Sequence, residues 1–174
     1  MIIRRARFNF ILLVAALAAF VGCQTTPEDK VTAVLRIHLE VNPDAPQLSN
    51  VVPIFRSNPV LVNVQRLPFL TEAHIEKADV VNTVGGFAIQ LVFNHIGAQL
   101  LEQYSATNPS RRFAIYCQFG AENQTTRWLA APMINRPITD GELIFTPDCS
   151  RAEAEQFVLG LNNVSGETKR RSKK

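Results

Sequence analysis

Apolar and polar positions alternate along residues 31–41, where Val34, Ile37 and Leu39 lie among Arg36, His38 and Glu40. That period of two predicts a half-buried strand, with His38 on its polar face. Residues 42–59 break the pattern with Pro43, Pro46, Pro53 and Pro59 and several Asn and Asp, so a loop is predicted there, holding a short apolar patch at 51–55. Alternation returns over 60–67, with Val60, Val62 and Val64 on one side. Thr71 can cap a short helical turn through Lys77. The runs 79–84 and 87–94 flank Gly85-Gly86, and glycines between apolar runs predict a tight hairpin because positive φ costs them little.

The period then changes. Asn94 can cap a helix to about Ala106, with Ile96, Leu100 and Tyr104, beside Gly97 and Leu101, on one stripe. Asn108-Pro109-Ser110 ends it. Residues 111–119 read as a strand with Phe113, Ile115, Cys117 and Phe119 on one face, followed by strands at 125–134 and 142–146. Asp148 or Ser150 can cap a last helix to about Leu161, Ser150 with Glu153 making a capping box, and its buried stripe is Ala154, Phe157, Val158 and Leu161. Strands, helix, strands, helix predict an α+β fold: an antiparallel sheet with two main helices packed on one face, ferredoxin-like in outline.

The N-terminal segment follows different rules. Arg4, Arg5 and Arg7 precede a mostly apolar run over 8–21. A helix of that length reaches roughly 21 Å, short of a ~30 Å hydrocarbon core. A cationic head, a short apolar run and small residues before a break form the pattern of a secretory signal. The break, Phe20-Val21-Gly22-Cys23, resembles the lipobox of bacterial lipoproteins, with Phe20 where Leu is usual. That resemblance implies a signal peptide over 1–22 and a lipid anchor on Cys23, which would be the membrane contact. Residues 23–30 would be a tether of about 25 Å at full stretch. Gln24 after the Cys implies, by the same resemblance, a periplasm-facing protein of the cell envelope at the outer membrane. The domain would then span 31–165, and 166–174 would be a basic disordered tail.

Charge is divided along the chain. Three of the 18 Lys and Arg lie in the leader and five in the last residues, leaving ten against 15 Asp and Glu over 23–168, a net of −5. A mildly acidic body offers no basic face for nucleic acid. His38, His74 and His95 have neither Cys nor a second His at ligand spacing, so no metal is expected. There is no Gly-x-Ser-x-Gly and no evident nucleophile–base pair, so no enzyme and no cofactor are expected. With Cys23 set aside, Cys117 and Cys149 remain as a candidate disulfide, or as two separate thiols. In the chain-entropy model, closing that loop stabilises by about 3–4 kcal/mol.

Several segments in order resemble the head of the first periplasmic domain of SecD-type protein-export subunits. They are 68–79 (Pro-Phe-Leu-Thr-Glu-Ala-His-Ile-Glu-Lys-Ala-Asp), 87–98 (Phe-Ala-Ile-Gln-Leu-Val-Phe-Asn-His-Ile-Gly-Ala), 111–116 and 145–157. The nearest match is 131–141, Ala-Pro-Met-Ile-Asn-Arg-Pro-Ile-Thr-Asp-Gly. The family-motif positions are Gly97, Pro132, Pro137, Ile138, Thr139 and Gly141. The resemblance covers some sixty per cent of the chain, residues 60–163. It implies a head fold and a part in handling polypeptides that leave the translocon. The family's subunit has six membrane spans that couple proton flow to movement, and this chain has one apolar segment. The expected function is therefore a non-enzymatic envelope lipoprotein with a protein partner, accessory to export. The alternative is a structural envelope lipoprotein whose basic tail touches anionic lipid or polymer.

Overall fold

The computed structural model describes residues 31–43, 48–55, 57–120 and 125–172. The leader, the tether and Cys23 lie outside the described residues. Among the described residues, nine strands and two helices run in the order β1 (Val34–Leu39), β2 (Ser49–Ile54), β3 (Val60–Gln65), β4 (Leu70–Thr71), a 3-10 turn (Glu72–His74), β5 (Ile75–Thr83), β6 (Gly86–Phe93), α1 (His95–Thr107), β7 (Phe113–Phe119), β8 (Thr125–Ala130), β9 (Glu142–Phe145) and α2 (Arg151–Ser172). All pairings are antiparallel. They form a four-stranded sheet β4-β1-β7-β8, a three-stranded sheet β5-β6-β9 and a two-stranded arm β2-β3.

The α+β expectation is met, with the helices and the two larger sheets sharing one core. Inward residues of β1 (Leu35, Ile37, Leu39), β6 (Ile89, Leu91, Phe93) and β7 (Phe113, Ile115, Cys117, Phe119) meet Leu101 of α1 and Ala154, Phe157 and Leu161 of α2. The ring of Phe119 lies 5.8 Å from that of Phe157, and Phe69 stacks on Tyr104 at 4.2 Å. Asn94 accepts from the Gly97 N–H at 2.9 Å, as its capping role requires. Ser150 and Glu153 close the expected box: the Ser150 N–H donates to Glu153 Oε2 at 2.8 Å and the Glu153 N–H to Ser150 Oγ at 3.3 Å.

Four expectations are corrected. The Pro-rich segment contains β2, because Pro53 sits in a two-stranded ribbon, where a residue without an N–H is tolerated on the unpaired side. On α1 the expected stripe holds at the buried Gly97 and Leu101 and at Leu100 and Tyr104, which pack against the core, but Ile96 is exposed and Ser105 is buried in addition. His38 is buried, not on a solvated face. Finally, α2 continues past Leu161 and through Gly166 to Ser172, so residues 166–172 are helical where a disordered tail is expected.

The burial of His38 has a simple cause. The arm lies over the outward side of the four-stranded sheet, and Val52, Ile54, Val62 and Val64 make a second small core with Ala114, Ala131 and Trp128. The arm is fastened to β1 by the Val41 N–H donating to Asn63 O at 2.8 Å. His38 Nδ1–H donates to Gln65 O at 2.8 Å, and its ring meets Trp128 edge-on at 5.2 Å. Burial lowers the pKa of His38, so the neutral ring is favoured.

Candidate functional site

The outward side of the three-stranded sheet carries a hollow of about 540 Å³ between the arm and the β5–β6 turn. Its floor is Ala88 of β6, its walls are Phe55 at the end of the arm and Val84 at the turn, and its rim is Ala131, Pro132 and Ile144. Both bordering strands, β8 and β9, end their sheets among the described residues. Such edges offer unpaired backbone groups to an extended chain. Val84 is fully exposed, Ile144 54% and Phe55 41%, a large apolar display for a turn, a strand and a loop end. Phe55 also has φ +68°, a left-handed conformation that costs a non-glycine residue on the order of 1–2 kcal/mol. The fold holds this aromatic ring at the hollow against that local cost.

A neighbouring hollow of about 410 Å³ follows residues 132–144 and shares Pro132 and Ile144 with the first. Of the family-motif positions, Pro132, Pro137, Ile138 and Thr139 line it. The Phe113 N–H donates to Pro132 O at 3.0 Å, and the Ile138 N–H to Ser105 Oγ at 2.8 Å. Ser105 in turn donates to Glu102 O at 3.0 Å, so this buried hydroxyl ties the loop to α1. Gly141 has φ +71°, and a Cβ there would stand 3.0 Å from the Ala98 Cβ. At Gly97 a Cβ would lie 2.9 Å from both His74 Cβ and His74 O. Both glycines therefore allow close approach between α1 and its surroundings. Pro137 and Thr139 are exposed on the rim, and Ile138 is half-buried.

Charged groups gather elsewhere, under the start of α2. Arg127 of β8 is paired across the strands with Cys117 and bonds Glu153 of α2. Its guanidinium lies 5.5 Å from the Phe119 ring centre. The backbone N–H of Ser150, and then Arg127, hold the Glu153 carboxyl down at about 2. Burial pushes the Cys117 thiol up to about 12. Cys117 and Cys149 are not bonded to one another. No group of three metal-ligating side chains occurs among the described residues. No helix among the described residues is long and apolar enough to cross a membrane.

An exposed sheet edge or a groove beside the Pro-rich 42–59 segment is the contact surface expected from the sequence for a protein partner, and the hollow lies against Phe55 of that segment; its other lining residues could not be named from pattern, because they come from distant segments. One local signal was available: Val84, a large apolar residue at the head of a tight hairpin, has no core to enter.

A family model, SecDF, P1 head subdomain, matches residues 49–165. The solved structure of "a membrane component SecDF that enhances protein export" is 19% identical, with a TM-score of 0.54 over 82% of this chain and 70% of that chain. That likeness supports the fold. SecDF in a super-membrane-facing form matches at 17% identity and TM-score 0.46, over 91% of this chain and 33% of that one. SecDF of Thermus thermophilus, a translocon-associated membrane protein, matches at 18% and 0.40, over 90% and 34%. This chain thus spans about a third of the length of those two. No curated protein matches it.

Proposed function

The chain belongs to the SecDF P1 head subdomain family, and on that premise we propose that it is a non-enzymatic envelope lipoprotein whose head domain binds extended polypeptide accessory to protein export. The observation that carries this reading is the apolar hollow between two sheet edges, walled by Phe55, Val84 and Ile144. An unfolded segment offers what such a site lacks: backbone N–H and C=O groups for an edge strand and apolar side chains for the hollow. The solved SecDF of similar fold is described as enhancing protein export, and the same service is proposed here.

The anchor is the second half of the proposal. A cleaved leader and acylated Cys23 would keep the domain at the membrane, since each buried CH₂ of a lipid chain contributes ~0.8 kcal/mol. Labelled palmitate should enter the wild-type protein and be lost in Cys23→Ala; equal labelling of both would refute the anchor. For the site, a fluorescent, permanently unfolded polypeptide is titrated with the purified protein. Ile144→Asp is expected to weaken binding at least tenfold, by setting a charge on an apolar wall. Equal affinity of wild type and variant contradicts the site.

A further inference from the structure

We propose that Cys117 and Cys149 are the two halves of an intrachain disulfide that closes β8, the 131–141 loop and β9 into one covalent ring. The argument starts from strand alternation. Cys117 and Phe119 point to the same side of β7, and Phe119 touches Phe157 of α2. One turn before Phe157, Glu153 bonds Arg127, which is the cross-strand partner of Cys117. Glu153 is also bonded to Ser150, the residue that follows Cys149. Two short bridges therefore bring the start of α2 over the Cys117 side chain. Cys149 packs against the same core in which Cys117 is fully buried. Arg127, Cys149 and Glu153 are the ionisable groups whose charge reaches the Cys117 thiol.

The chemistry has a defined order. Cys149 is only half-buried and meets the oxidant first, whereas Cys117 is sealed in the core. The oxidant is a disulfide-bearing thiol oxidase or oxidised glutathione. The Cys149 thiolate attacks its disulfide, forming a mixed disulfide and releasing one thiolate. Cys117 then attacks the Cys149 sulfur, its proton passing to a released thiolate. The S–S bond to the oxidant breaks as the Cys117–Cys149 bond forms. The chain loses two hydrogens and two electrons, and the oxidant leaves as a dithiol or as two thiols.

The ring contains Ala131, Pro132 and Ile144, the rim of the apolar hollow, so oxidation would fasten that side of the proposed binding site. The pairing itself does not depend on what the hollow binds. Reduced, purified protein is exposed to oxidised glutathione, and its mass and free thiols are measured. The expected product is an intact chain lighter by two hydrogens with Cys117 and Cys149 joined, melting about 10 °C higher than the reduced form. Cys149→Ser should show neither change. A glutathione adduct on Cys149 that persists without ring closure overturns the proposal. A second measurement traps thiols in growing cells with acid. A bond there supports the pairing in its own compartment. A pair that closes with glutathione but stays reduced in cells supports the geometry and contradicts the envelope placement instead.

Discussion

The outward sides of the two larger sheets have opposite fates. On the four-stranded sheet, the β2–β3 arm covers Ala114 and buries Val52, Ile54, Val62 and Val64. On the three-stranded sheet, no described element lies over Ile144, and Val84 stands free at the adjoining turn. Both sides display apolar residues, although Asp79, Gln90 and Glu142 share the open one with Ala88 and Ile144, and among the described residues only the first side has its cover. A face that is apolar and covered adds stability, at about 25 cal/mol per Å² removed from water. A face that is apolar and uncovered adds none until something lands on it. The comparison teaches that burial, rather than residue type, separates structure from site.

The strongest way to break that comparison is to weaken the covered side. Ile54→Ala removes a fully buried side chain from the small core and should cost about 2–4 kcal/mol. Hydrogen exchange should then quicken over residues 49–65 far more than over 151–165. A uniform rise would show that the arm is no separate patch but part of the main core.

Acid gives a smaller, graded effect on the helix that packs the inner face. The Glu153 carboxyl lies at about 2 in the fold against 4.5 as the ordinary value, held down by the Ser150 N–H and then by Arg127. A depressed carboxylate stabilises fully above its unfolded value, and the contribution fades as pH falls from about 4.5 towards about 2. Urea unfolding over that interval should lose less stability in Glu153→Gln than in wild type. Parallel curves would remove Glu153 from the account.

The smallest effect on stability belongs to the open side. Ile144→Asp changes an exposed residue at a sheet edge and should shift stability by less than about 0.5 kcal/mol. Its polypeptide affinity should nonetheless fall.

Legibility followed sequence distance. The Gly85-Gly86 hairpin, the Asn94 cap and the Ser150–Glu153 box could be read because each is settled within a few residues. The inward face of β7 was equally plain from its alternation. β2 was hidden by its prolines, which mark loops on average but sit comfortably in a two-stranded ribbon. His38 looked solvated because alternation assigns faces without saying that a second layer covers the polar one. The end of α2 was hidden because a run of Lys and Arg after Gly166 reads as a tail, whereas here it continues a helix already anchored by its packed first turns. The motif positions around Pro132 and Gly141 could be named from the sequence, and their seat on α1, through Ser105 and Ala98, could not. The hollow itself depends on how the arm, the β5–β6 turn, β8 and β9 are placed together, which no window of sequence contains.

Photo-crosslinking in growing cells tests the central claim most directly. A photoreactive residue at 144 reports on the hollow, and one at the exposed position 102 on α1 serves as the comparison. The account expects position 144 to capture exported polypeptides before they fold, well above the yield at position 102. Equal yields at both positions, or capture only of folded envelope proteins at 144, would contradict it.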